Sequence, residues 1–125
     1  MVQKQIAVAW MLFLMTVGAL SAAAGETKEV ASRNELEVKV DKTAATITIT
    51  ATGKSGYHCN TLYPWKLTVT GPGQEKVVYR KKDAKAFSKD AVIFQVPYKK
   101  GQKAEMKMSV CNDAQCIMHT EEFSW

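Results

Sequence analysis

Leu36, Val38 and Val40 alternate with Glu35, Glu37 and Lys39, and Ile47 and Ile49 alternate with Thr46, Thr48 and Thr50. An apolar residue at every second position gathers on one face only if the chain is extended, so these runs demand half-buried β-strands. The pattern recurs in "WKLTVT" (65–70) and "AEMKMSV" (104–110), and "KVVY" (76–79) and "CIMHTEEFSW" (116–125) read as further strands. "AVIFQV" (91–96) is more continuously apolar and reads as a strand with both faces covered. Seven short strands over 35–125, evenly spaced turn signals and no convincing helix predict an all-β, immunoglobulin-like antiparallel sandwich. Its expected core is Leu36, Val38, Ile47, Ile49, Leu67, Val69, Ile93, Phe94, Met106 and Met108, with Ile93 and Phe94 in conflicting phase.

The N-terminus follows a different rule. Lys4 precedes the apolar run "IAVAWMLFLMTVGAL", which ends in "SAAAG". A positive start, an apolar stretch and an Ala-x-Ala site form the pattern of a secretory signal peptide, here residues 1–24 with cleavage expected after Ala24. An uncleaved anchor is the alternative, but the run is short against the ~20 apolar residues of a membrane span. Once cleaved, the chain is expected to keep no membrane span. Residues 25–34, "GETKEVASRN", are polar and aperiodic and read as a flexible leader. A periplasmic or secreted location follows as an expectation. Without Lys4 the exported chain has 16 Lys+Arg against 12 Asp+Glu, a net +4 that suits either an anionic partner or Lys-rich solvated loops, whereas export makes nucleic acid an unexpected partner. "YRKKDAKAFSKD" and "YKKGQK" form either a basic patch or solvated loops.

The chain has three cysteines, Cys59, Cys111 and Cys116. An oxidising compartment permits a disulfide, and an odd number leaves one thiol over. An immunoglobulin-type bridge between Cys59 and Cys111 fits poorly. Cys59 falls in the long loop 52–64, and Ser109 stands where a tyrosine corner would need Tyr. Energy does not exclude that bridge, because long closures constrain the unfolded chain more than short ones. Cys111 and Cys116 instead flank the four-residue turn 112–115 between the last two strands. Opposed Cα atoms there lie ~4.5–5.5 Å apart, within the reach of a disulfide. The pair is either a structural staple or a reducible dithiol at one end of the sandwich. Lys107 and His119 would favour a thiolate if they lay close, and Asp113 would oppose it.

Cysteines flanking the last hairpin of an exported sandwich, here "CNDAQC", resemble those of the N-terminal periplasmic immunoglobulin-like domain of bacterial thiol:disulfide interchange reductases. "GYHCNTLYP" ahead of "WKLTV" is similar to that family's aromatic-His segment before a strand. The resemblance implies thiol:disulfide exchange by Cys111 and Cys116, with other periplasmic thiol proteins as partners. The family spacing is usually one residue longer, and Cys59 is an addition. The chain is also similar to small exported proteins of unassigned role that carry a "YH-N--YP" segment and a "SVC----C" hairpin.

Two further readings stand beside exchange. One is a non-enzymatic binding or interaction module whose hairpin disulfide is structural. The other is a copper site, because Cys, Met and His are soft donors; its ligands would be His58, Cys116 and His119. Met106 and Met108 share the phase of Val110 and read as core. Tyr57, His58, Cys59 and Tyr63 gather at the long loop, where with Trp65 they either cap the hairpin pair, form a surface or close the core. The chain shows no Ser-His-Asp arrangement, paired acidic motif, phosphate loop or zinc spacing, so hydrolysis is disfavoured and no cofactor is expected.

Overall fold

The computed structural model describes residues 26–125; the expected signal peptide lies outside them. Within that range the chain is an all-β antiparallel sandwich. Its strands are β1 (Glu26–Ser32), β2 (Leu36–Lys42), β3 (Thr46–Gly53), β4 (His58–Cys59), β5 (Lys66–Thr70), β6 (Lys76–Arg80), β7 (Ala86–Phe87), β8 (Val92–Pro97), β9 (Lys103–Cys111) and β10 (Cys116–Ser124). One sheet has the order β1-β2-β3-β8-β7. The other runs β10-β9-β5-β6, with β4 also on β9. All seven predicted strands form. The first, second and fifth of them share one sheet, and the remaining four share the other, in the immunoglobulin-like manner.

The three additional strands have physical reasons for escaping the periodicity. β1 occupies 26–32, where a flexible leader was expected, and pairs with β2. It is a solvated edge whose first four residues are exposed, so nothing imposes alternation on them. A bulge between Glu29 and Ala31 interrupts its register. β4 and β7 are two-residue pairings inside segments that read as loops.

Alternation sets the core as expected, with one exception. Leu36, Val38, Ile47, Ile49, Leu67, Val69, Phe94, Met106 and Met108 are buried between the sheets. Ile93 is not among them. β8 turns Val92, Phe94 and Val96 inward, which puts Ile93 on the outer face, half-covered across from Ala86 of β7. The phase conflict is thus resolved in favour of Phe94, the larger side chain, and Ile93 leaves the expected core. Trp65 closes one end of the sandwich. It is 1% exposed, donates from Nε1 to the Asn60 carbonyl at 2.7 Å, and meets Phe87 edge-on at 6.2 Å.

Candidate functional site

The β9–β10 hairpin positions the cysteines. Its turn is closed without help from sulfur. The Asn112 amide donates to the Gln115 carbonyl at 2.9 Å, and Asn112 Oδ1 accepts from the amides of Ala114 and Gln115 at 2.9 and 2.8 Å. This is an Asx-type turn, in which the side chain substitutes for a backbone acceptor. From it an unbroken ladder pairs Cys116 with Cys111 and runs to Ser124 with Lys103. Cys111 and Cys116 are disulfide-bonded, with their Cα atoms 4.0 Å apart. That close spacing marks a non-hydrogen-bonded cross-strand pair, in which side chains approach most closely.

The two cysteines are unequally covered. Cys116 is exposed, whereas Cys111 is 7% exposed. β4 supplies part of the cover: His58 is registered opposite Cys111, so His58, Cys111 and Cys116 form one cross-strand row. Residues in register share a face, and Cys59 points the other way into the core, so this row lies on the outer face of the sheet. Tyr57 extends over the hairpin tip, its hydroxyl accepting a hydrogen bond from Gln115 Nε2 at 2.9 Å.

A tight turn delivers Tyr57 and His58 to the row. Ser55 and Gly56 have φ of 55° and 84°, and the Tyr57 amide donates to the Lys54 carbonyl at 3.0 Å. Two successive left-handed residues make this a type I′ turn, which accounts for glycine at 56. Beyond β4, Asn60 fills the gap between β4 and β5 along β9. Its amide donates to the Ser109 carbonyl at 2.9 Å and its Nδ2 to Ser109 Oγ at 3.2 Å. Ser109 therefore stays buried on an outer face. Reading the sequence missed Asn60. A signal existed: Asn60 Oδ1 accepts from the Leu62 amide, the local bond that favours Asn at turns.

The remaining expected site residues are dispersed. Cys59 is a free thiol, fully buried, whose Sγ donates to the Ala51 carbonyl at 3.6 Å. It belongs to neither the disulfide nor the outer row. His119 stands an odd number of residues from Cys116 on one strand, so it faces between the sheets. There its Nε2 lies 2.8 Å from Glu35 Oε1, an ion-pair approach not aligned as a hydrogen bond. The set His58, Cys116 and His119 is therefore split across two faces and is not a ligand cluster. Among the described residues no group of three His, Cys, Asp or Glu is arranged to hold a metal ion. Lys107 shares the outer face but lies two rows from Cys111, about 13 Å along the strand. Neither cation expected to favour a thiolate is beside the pair. Tyr63 packs half-buried against the core.

Burial pushes the Cys59 thiol up to about 11, with a smaller contribution from Asp90. The protonated form is thus favoured in the folded chain relative to the unfolded one. Stability from this group is full below the unfolded value near 9.0 and is lost as pH rises through about 11. We expect the native oxidised protein to show no fast-reacting thiol at pH 8 and one after denaturation. We also expect the Cys59→Ala variant to lose less stability than wild type between pH 9 and 11, by urea titration. One rapidly reacting thiol in the native protein would contradict this placement.

The chain matches no known family model, no curated protein and no solved structure. Among the described residues, no helix is long and apolar enough to cross a membrane.

Proposed function

We propose that this protein is an exported thiol:disulfide exchange or accessory domain of an oxidising compartment, the bacterial periplasm, with Cys111 and Cys116 as its redox pair. The unequal exposure of the two cysteines carries the reading. Exchange needs one sulfur that an incoming thiolate can reach and a second that can leave and later return. Cys116 is exposed for attack, and Cys111 is covered in the middle of the row with His58 as its neighbour.

In the oxidised protein a partner's thiolate attacks Cys116 Sγ. The bond to Cys111 breaks, a mixed disulfide joins the partner to Cys116, and Cys111 departs as a thiolate. The partner's second thiolate then attacks its own sulfur in that mixed disulfide and releases Cys116. Two electrons have moved from the partner's dithiol to the pair; run backwards, the same steps reduce a partner's disulfide. We take His58, the row neighbour of Cys111, as the group that exchanges a proton with the leaving sulfur.

The alternative role, a plain staple, has little to add here. Closing six residues constrains the unfolded chain by only about 2 kcal/mol, and the turn already has its own hydrogen bonds. The resemblance of "CNDAQC" to the reductase hairpin points the same way as the exposure.

Equilibration with glutathione buffers tests the reading. We expect a reduction potential near about −200 mV, and Cys111→Ser should trap mixed disulfides through Cys116 whereas Cys116→Ser should not. A potential below about −300 mV would make the pair structural and the domain a binding module instead.

A further inference from the structure

We infer that the chain self-associates into a two-fold dimer by pairing β10 with β10 of a second copy, joining the two β10-β9-β5-β6 sheets into one. The inference is independent of the exchange reading and stands whether or not the disulfide is reducible.

A sheet edge presents unpaired amides and carbonyls, and monomers usually blunt it. Three of the four edges here are blunted. β1 carries a bulge and three charged residues among its first four. β6 is five residues long with Lys76 and Arg80 at its ends, and β7 has two residues. β10 is the least protected of the four: its acidic residues are Glu121 and Glu122, both in its second half. It is nine residues long, contains no proline or lysine, and keeps an unshifted register along its whole length. Met118 on its outer face is 71% exposed.

The direction of its backbone groups follows from the hairpin. Cys116 and Cys111 form a non-hydrogen-bonded pair, so the groups of Cys116 point away from β9, and those of Ile117 point toward it. Alternation then turns Cys116, Met118, Thr120, Glu122 and Ser124 outward. Thr120 is the midpoint of the strand. A two-fold axis through it pairs all nine residues and matches outward groups with outward groups.

That register is also the one the side chains favour. Ile117 meets Phe123 of the second copy, Met118 meets Glu122, and His119 meets Glu121. The last contact sets Glu121, held by Arg33, against His119, held by Glu35. Sliding the axis by one residue toward the C-terminus opposes Glu121 to Glu121, two like charges, and sliding it the other way replaces the contact between His119 and Glu121 with His119 on His119. Either slip also loses two residues of pairing on each strand. Like charges directly opposite destabilise an antiparallel pair. The contact is isologous and closes on itself, so it makes a dimer and not a fibre. It sets the two Cys116 residues about 27 Å apart along the paired strands, leaving both hairpin tips free.

Sedimentation velocity from about 1 μM to 1 mM tests this, with folding checked by thermal melts. The wild-type mass should rise from one chain to two across that range. Thr120→Pro removes an outward amide and should raise the dissociation constant about tenfold or more without touching the β9 ladder. Thr120→Lys, at a solvent-facing side chain, should do the same and decides the matter if the proline variant unfolds. Met118→Glu sets a carboxylate against Glu122 of the other copy and should weaken the dimer. Adding Glu122→Lys to it should restore association, which only this register explains. A monomer throughout, association unaltered by the Thr120 variants, or no recovery in the double variant would overturn the proposal.

Discussion

Trp65→Ala is expected to lower the unfolding free energy by about 4 kcal/mol, the range for deleting a buried aromatic side chain. Three losses combine. The indole is 1% exposed and fills the end of the core beside Phe87, so its removal leaves a cavity that the facing sheets cannot close. The Asn60 carbonyl loses its donor at 2.7 Å. The 60–65 segment then loses the contact that holds Asn60 against Ser109, and with it the connection between β4 and β5. Domains of this size have only about 5–15 kcal/mol in total, so the variant should sit near the edge of folding at 37 °C. Trp65→Phe retains most of the volume and loses the hydrogen bond, and about 1.5 kcal/mol is expected for it. Urea midpoints at constant m-value separate the two. If the alanine variant loses less than about 1 kcal/mol, Trp65 does not close the core as described.

How far the sequence anticipates this molecule depends on which face a residue must choose. Where one side of a strand is buried, a single-residue slip would turn every apolar side chain into water, so β2, β3, β5 and β9 declare themselves. The hairpin disulfide was legible for the same reason: a four-residue turn makes 111 and 116 opposite. β1 was not legible, because an edge exposed to solvent carries no alternation. β8 is apolar at Val92, Ile93 and Phe94, and periodicity cannot choose a phase where three neighbours are equally eligible. The loop 52–64 hid most of the site. Whether Cys59 or His58 faces the disulfide is decided by two residues of pairing with β9, and no pattern that short can be read. Parity did set His119 apart from Cys116 in the sequence: His119 is in phase with Ile117, so an inward face was open to it.

The second large effect is expected at Gly53, the last residue of β3, and it ties the core to the candidate site. A Cβ there would overlap the Tyr57 carbonyl oxygen and lie 2.6 Å from its carbon and 3.0 Å from the His58 Cα. These are backbone atoms, so no side chain can swing aside, and the type I′ turn must be displaced as a unit. Overpacking against backbone costs typically 1–3 kcal/mol, and we expect about 3 for Gly53→Ala, against at most about 1 regained from a stiffer unfolded chain. Gly56→Ala is the control. Its Cβ would meet nothing, but its φ of 84° disfavours a side chain, which costs about 1 kcal/mol. The two variants should also differ in chemistry. Moving the turn at 53 pulls on Tyr57, His58 and Cys59 together, so Gly53→Ala should expose the Cys59 thiol to reagent and loosen the Tyr57 contact with Gln115. Gly56→Ala should leave that thiol silent. Equal stabilities for Gly53→Ala and wild type would mean that β3 and β4 are not packed backbone to backbone, and the cover over Cys111 would lose its foundation.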